Sequence, residues 1–177
     1  MFRRVAMCLS YLVFIIVAGT ISTYAADRPS PDFSFKDSDG HETRLSAYRG
    51  KVVILAFINT ECPHCQRVSK MLSTIQTSYG AEKLQVLGVA INEEAEKLLP
   101  TFKANIQPMF PVGAAPEASV QSYLAIPPTG LIYTPVVVVI DREGVIRAEN
   151  AGHIPMVDDE QALRRVVDQL LTVSTHD

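Results

Sequence analysis

The hydrophobic period of the chain changes at Cys62-Pro63-His64-Cys65. Before it runs Lys51-Val-Val-Ile-Leu-Ala-Phe-Ile58, nearly unbroken in apolar character and rich in β-branched residues. That is the pattern of a strand buried on both faces. After it, Val68, Met71 or Leu72, Ile75 and Tyr79 recur at helical spacing, and Gly80 stands where a C-cap glycine belongs. Two cysteines are thus expected where a central strand turns into a helix. A thiol there lies beside unpaired backbone N–H groups and the positive end of the helix dipole. The thiolate is favoured, and the thiolate is the nucleophile. A pair at this spacing can close a small disulfide across the first helical turn. Cys62, the outer residue, would attack a partner disulfide and Cys65 would resolve the mixed intermediate. Pro63 suits the first turn, where its missing N–H costs nothing. His64, protonated and close, would further favour the Cys62 thiolate.

The 177 residues, 47% hydrophobic and without low-complexity tracts or repeats, fit one globular domain behind a leader. A net charge of −3 with no basic patch excludes a nucleic-acid binder. Arg3 and Arg4, the apolar stretch Leu9–Val17 and the small residues of Thr23-Tyr24-Ala25 form a secretory pattern with a cut after Ala25. An uncleaved signal anchor is the alternative reading of residues 1–25, although the stretch is short against the roughly 20 residues of a membrane span. Cleavage would remove two arginines and no acid, leaving 14 basic against 19 acidic residues, a net −5. Cys8 would leave with the leader. The exported part then holds only Cys62 and Cys65. A domain of this size needs no disulfide to build its core, so the pair reads as chemical rather than structural.

Residues 26–31 read as a polar linker, residues 32–173 as the domain and 174–177 as a tail. Phe33–Phe35 and Thr43–Leu45 flank Asp37-Ser-Asp-Gly40, a β-hairpin signature. Ser46–Gly50 is a loop or single turn. Leu84–Ile91 is a second buried strand. Glu93–Asn105 is a helix that Pro100 should kink or divide. Met109–Val112 is expected as a short strand and Pro116–Leu124 as a short helix. A turn-rich loop, Ile126–Pro135, leads into the core strand Val136–Ile140, a tight turn at Asp141–Gly144 and a returning strand Val145–Ala148. Asp158 and Gln161 form a capping pair for a last helix carrying Leu163, Val166, Val167, Leu170 and Leu171. The order predicts an α/β fold, a central mixed sheet flanked by helices.

The strand ending in Cys62-Pro-His-Cys65, the Thr134-Pro135 step and the hairpin Val139-Ile-Asp-Arg-Glu-Gly-Val-Ile146 together resemble the thioredoxin-like oxidoreductases. The resemblance is strongest to the exported TlpA/ResA-type branch that borders the AhpC/TSA redoxins. It covers residues 29–172 and includes the N-terminal hairpin and the insertion before Pro135. It implies a thiol–disulfide oxidoreductase with Cys62 attacking and Cys65 resolving. It further implies a cis Pro135, with Thr134 beside the site offering backbone to an incoming peptide. No cofactor beyond a Cys62–Cys65 disulfide and no metal are implied. Protein thiols or disulfides would be the partners, with a membrane electron donor or acceptor. The chain is expected to be monomeric and periplasmic, or membrane-anchored and facing the periplasm.

Departures from the pattern are informative. Pro-His is the dipeptide of the oxidant DsbA, whereas thioredoxin carries Gly-Pro. Glu61 replaces a Trp usual before the first cysteine and would disfavour the Cys62 thiolate. Ala56 stands where thioredoxin keeps a buried acid, leaving water, Glu93 or Glu94 to take the Cys65 proton. His41 and His153 read as surface residues. A structural disulfide or half a zinc site is the bland account of the cysteines, and a closed zinc site lacks ligands. A redoxin peroxidase would want Thr three residues before its cysteine, where Asn59 stands, and a nearby upstream Pro. A Sco-type copper site would want three residues between the cysteines rather than two.

Overall fold

The computed structural model describes residues 27–172. The leader, Cys8 and the 174–177 tail lie outside them. The described residues form a sheet of eight strands: β1 (Arg28–Pro29), β2 (Ser34–Lys36), β3 (Glu42–Arg44), β4 (Val52–Ile58), β5 (Leu84–Ala90), β6 (Val112–Ala114), β7 (Val136–Ile140) and β8 (Val145–Ala151). Their spatial order is β1-β8-β7-β4-β5-β6-β2-β3. β5 runs parallel to β4 and to β6, and the other pairings are antiparallel. The helices are α1 (Pro63–Tyr79), α2 (Ala95–Ile106), α3 (Glu117–Tyr123), α4 (Pro155–Asp158) and α5 (Glu160–Thr172), with a 3₁₀ turn at Leu45–Tyr48.

β4 explains why its sequence is apolar without alternation. Val52, Ile54, Ala56 and Ile58 enter a core with Leu72 and Ile75 of α1, Leu99 of α2 and Leu163 and Val167 of α5. Val53, Leu55 and Phe57 enter a second core with Phe33, Phe35, Val120 and Tyr123. Both faces of the central strand are covered, so every side chain is selected for burial. Phe33, Phe57 and Tyr123 pack as a cluster of tilted and edge-on rings with centroids 5.3–5.6 Å apart.

Several expectations are revised. α2 begins at Ala95 and runs through Pro100 as one helix. Pro100 and Glu96, whose carbonyl loses its donor, are both exposed, so water can satisfy that carbonyl. The strand expected at Met109–Val112 lies at Val112–Ala114, where Gly88, Val89 and Ala90 of β5 set its register. Met109 is exposed instead. Asp158 does not cap the last helix. Asp159 does, its Oδ1 accepting the Gln161 N–H at 2.9 Å. The intervening turn α4 frees Asp158 for another role.

Candidate active site

α1 starts from the C-terminal end of β4, and Cys62 is its N-cap residue with Pro63 opening the first turn. The approach is pinned from below. The Thr60 N–H donates to Asn92 Oδ1 (3.0 Å), Asn92 Nδ2 donates to Thr60 Oγ1 (3.0 Å), and Gln66 Nε2 donates to the Thr60 carbonyl (3.0 Å). Asn59 Oδ1 accepts the Glu61 N–H at 2.9 Å. This turn presents Cys62 half-buried at the surface and draws Cys65 fully inside, both as free thiols.

The two sulfurs sit in opposed environments. Burial pushes the Cys62 thiol up, but hydrogen bonds from the Cys65 N–H and side chain and from the His64 N–H, with the charge of Arg67, leave it below its ordinary value. Burial dominates at Cys65 and pushes it up to about 11, although the Asn59 N–H and the Thr134 side chain favour its thiolate. The Asn59 N–H donates to Cys65 Sγ at 3.4 Å. A surface thiol poised to ionise beside a buried thiol that holds its proton has the chemistry that attack and resolution in disulfide exchange require.

The Thr134 side chain lies against Cys65, and the Thr134–Pro135 peptide bond is cis, as expected. Leu131 and Tyr133 of the same loop are exposed, at 71% and 69%. Glu93 and Glu94 are not hydrogen-bond partners of Cys65. They line an open groove with Glu96, Lys97 and Glu117, and Glu94 pairs with Lys97.

His64 is buried, and its ring does not stand free beside Cys62. Its Nε2 meets Asp158 Oδ1, while His153 Nδ1 meets Asp158 Oδ2 at 3.1 Å. The two imidazoles stack with centroids 3.8 Å apart and planes within 4°. His153 is a surface residue, as expected, but it is not without a partner: it stacks on His64 and bonds Asp158. The three residues place potential ligand atoms within 4.8 Å of one another. In this arrangement both ring nitrogens are taken up by the Asp158 carboxylate.

The sequence profile of the AhpC/TSA family matches residues 26–149, most of the described chain. The chain belongs to the AhpC/TSA family. It is 26% identical over 168 residues to the thiol-disulfide oxidoreductase ResA of Geobacillus kaustophilus, covering 93% of this chain and 81% of that one. It is 29% identical over 141 residues to the thioredoxin-like protein YneN of Bacillus subtilis, covering 76% of each. A crystal structure of a thiol:disulfide interchange protein of the thioredoxin family from Chlorobium tepidum superposes with a TM-score of 0.70 at 22% identity, over 83% of this chain and 98% of that one. The fold of this AhpC/TSA member is thioredoxin-like. Sequence reasoning missed Asn59, Thr60 and Asn92 as supports of the turn, Arg67 as its cation, and Asp158 with His153 as partners of His64. Only Arg67 was accessible from spacing, standing on the first turns of the helix that Cys62 caps.

Proposed function

We propose that this protein is a thiol–disulfide oxidoreductase acting on protein thiols and disulfides outside the cytoplasm. The observation that carries the reading is the contrast between Cys62 and Cys65 at one helix N-terminus. In the reducing direction the Cys62 thiolate attacks a substrate disulfide, forming a Cys62–substrate bond and releasing one substrate thiolate. Cys65 gives up its proton and attacks Cys62 Sγ, which releases the second substrate thiolate and leaves a Cys62–Cys65 disulfide. The two electrons that reduce the substrate come from the two protein thiols. In the oxidising direction the same steps run backwards.

Thr134 and Pro135 line the path of an incoming peptide, and exposed Leu131 and Tyr133 offer it apolar contact. Export rests on the leader pattern of residues 1–25. Among the described residues no helix is long and apolar enough to cross a membrane. The name of the ResA relatives, thiol-disulfide oxidoreductase, supports the same activity.

Replacing Cys62 with Ser should abolish disulfide exchange, and replacing Cys65 with Ser should accumulate the mixed disulfide. Undiminished exchange by the Cys62→Ser protein would sink the proposal. Rapid Cys62-dependent turnover of peroxide would move the assignment to a thiol peroxidase, and tight Cu(I) binding by the reduced protein to a copper carrier.

A further inference from the structure

Residues 131–134 lead from the loop after α3 into β7 and end against the cysteines. Exposure alternates along them. Leu131 and Tyr133 are exposed, Ile132 packs on the second core, and the Thr134 side chain lies against Cys65. Side chains that alternate in this way belong to an extended segment. Among the described residues, no hydrogen bond reaches the backbone N–H or carbonyl groups of these four residues. Both ends are nevertheless fixed. Gln121 Nε2 donates to the carbonyls of Gly130 (3.0 Å) and Pro128 (3.3 Å), and the Pro135 carbonyl accepts the Gly152 N–H at 3.0 Å. The segment is thus a preformed edge with unpaired main-chain groups beside the reactive pair, the kind of edge to which a peptide adds as a strand.

We propose that Leu131 and Tyr133 are specificity-determining residues that select, on a partner's extended cysteine segment, apolar side chains one and three positions from the cysteine. This deepens the proposed exchange activity and rests on it. The register follows from the faces of the segment. A strand added to residues 131–134 puts each side chain on the same face as the residue opposite it. The partner's cysteine must point toward Cys62, which contacts Cys65, and so it shares the face of Thr134. Leu131 and Tyr133 point to the other face. They are met by residues an odd number of positions from that cysteine, the first and third when the cysteine lies opposite Thr134. Apolar side chains there leave water against Leu131 and Tyr133, whereas polar ones gain nothing from the contact. The partner must also bring backbone groups that are not already paired, as an unfolded chain or an open loop does.

The test uses two short peptides of identical composition, each carrying its single cysteine as a mixed disulfide with a chromogenic aromatic thiol. One has leucine at the first and third positions on both sides of the cysteine and serine at the second and fourth. In the other, leucines and serines are exchanged. The Cys62 thiolate of the reduced full chain attacks the peptide sulfur, the bond to the aromatic sulfur breaks, and the aromatic thiolate leaves with that electron pair. Cys65 then attacks Cys62 Sγ and releases the peptide thiol. Stopped flow reads the rate of aromatic thiolate release, and each rate is divided by that of glutathione with the same peptide, which removes any intrinsic difference between the disulfides. The first peptide should react at least about fivefold faster, the scale of partly burying two leucine side chains. Leu131→Ser combined with Tyr133→Ser should bring the two rates within about twofold of each other, because the apolar contact is gone. Tyr133→Phe should keep the parental ratio, since it keeps the ring. A smaller parental preference, a preference for the second peptide, or a preference that survives the double substitution or is lost in Tyr133→Phe would each overturn the inference. The parental comparison needs no variant, so it decides even if the doubly substituted protein does not fold. Release from neither peptide refutes the exchange activity itself, whereas equal release from both refutes only the selection by Leu131 and Tyr133.

Discussion

Thr134→Val should slow the resolving step about threefold without touching the attacking one. Cys65 stands at about 11, so only on the order of 10⁻⁴ of it is thiolate at pH 7. The Thr134 side chain favours that thiolate. A hydrogen bond to a charged group is worth about 1.5 kcal/mol at the low end, which is about one pKa unit. Its loss would cut the thiolate population about tenfold. The more basic sulfur is a better nucleophile, and a Brønsted slope of about 0.4–0.5 returns roughly threefold of that. The net slowing is about threefold. The assay loads Cys62 with a chromogenic aromatic thiol as a mixed disulfide and follows its release by Cys65 in stopped flow at pH 7. Loss of the free Cys62 thiol in that adduct affects parent and variant alike, so the ratio of rates is the readout. Thr134→Ser keeps the hydroxyl and should release at nearly the parental rate. A Val protein as fast as the parent, or a Ser protein as slow as Val, would refute the role assigned to the hydroxyl.

Two further outcomes follow from the same structure. Burial raises Cys65 from 9.0 to about 11 in the folded state, so the unfolded chain loses this proton first; the associated stability is complete below about pH 9 and declines toward pH 11. Urea unfolding of the reduced protein should show a loss of about 1.5 kcal/mol between pH 9 and 10.5 that the oxidised protein lacks. A Cβ on Gly113 would lie 2.2 Å from the Lys36 carbonyl oxygen and 2.5 Å from the Phe35 ring, so Gly113→Ala should cost about 1–3 kcal/mol in the same assay and loosen β2 from β6.

The backbone plan was readable because burial writes periodicity into sequence. β4 needed apolar residues on both faces and α1 on one, and each left its own spacing. The cysteine pair was readable because two residue types at one junction carry a chemistry that few folds use. What escaped were bonds between distant side chains. Asp158 looked like a helix cap because an acid three residues before a glutamine usually is one. The preceding turn α4 moved that duty to Asp159, and no local pattern reveals a carboxylate aimed at His64. The ring partner of His64 escaped for the same reason, since the residue type was visible and its partner was not. β6 was misplaced because three residues carry little period, and its position comes from pairing with β5. Asn92 and Thr60 each read as ordinary loop residues until the fold brought them together.

The two borders of the sheet are very short strands, β1 with two residues and β3 with three. At the β3 border, Glu42 and Arg44 are exposed and bonded to each other. A second molecule approaching edgewise therefore finds few backbone groups in a row to pair with, and at one side a charged border. The long, strongly apolar strands that would template aggregation lie in the interior, β4 between β7 and β5. Under the proposed exchange activity, the chain thus offers its partners a reactive sulfur but little open edge to adhere to.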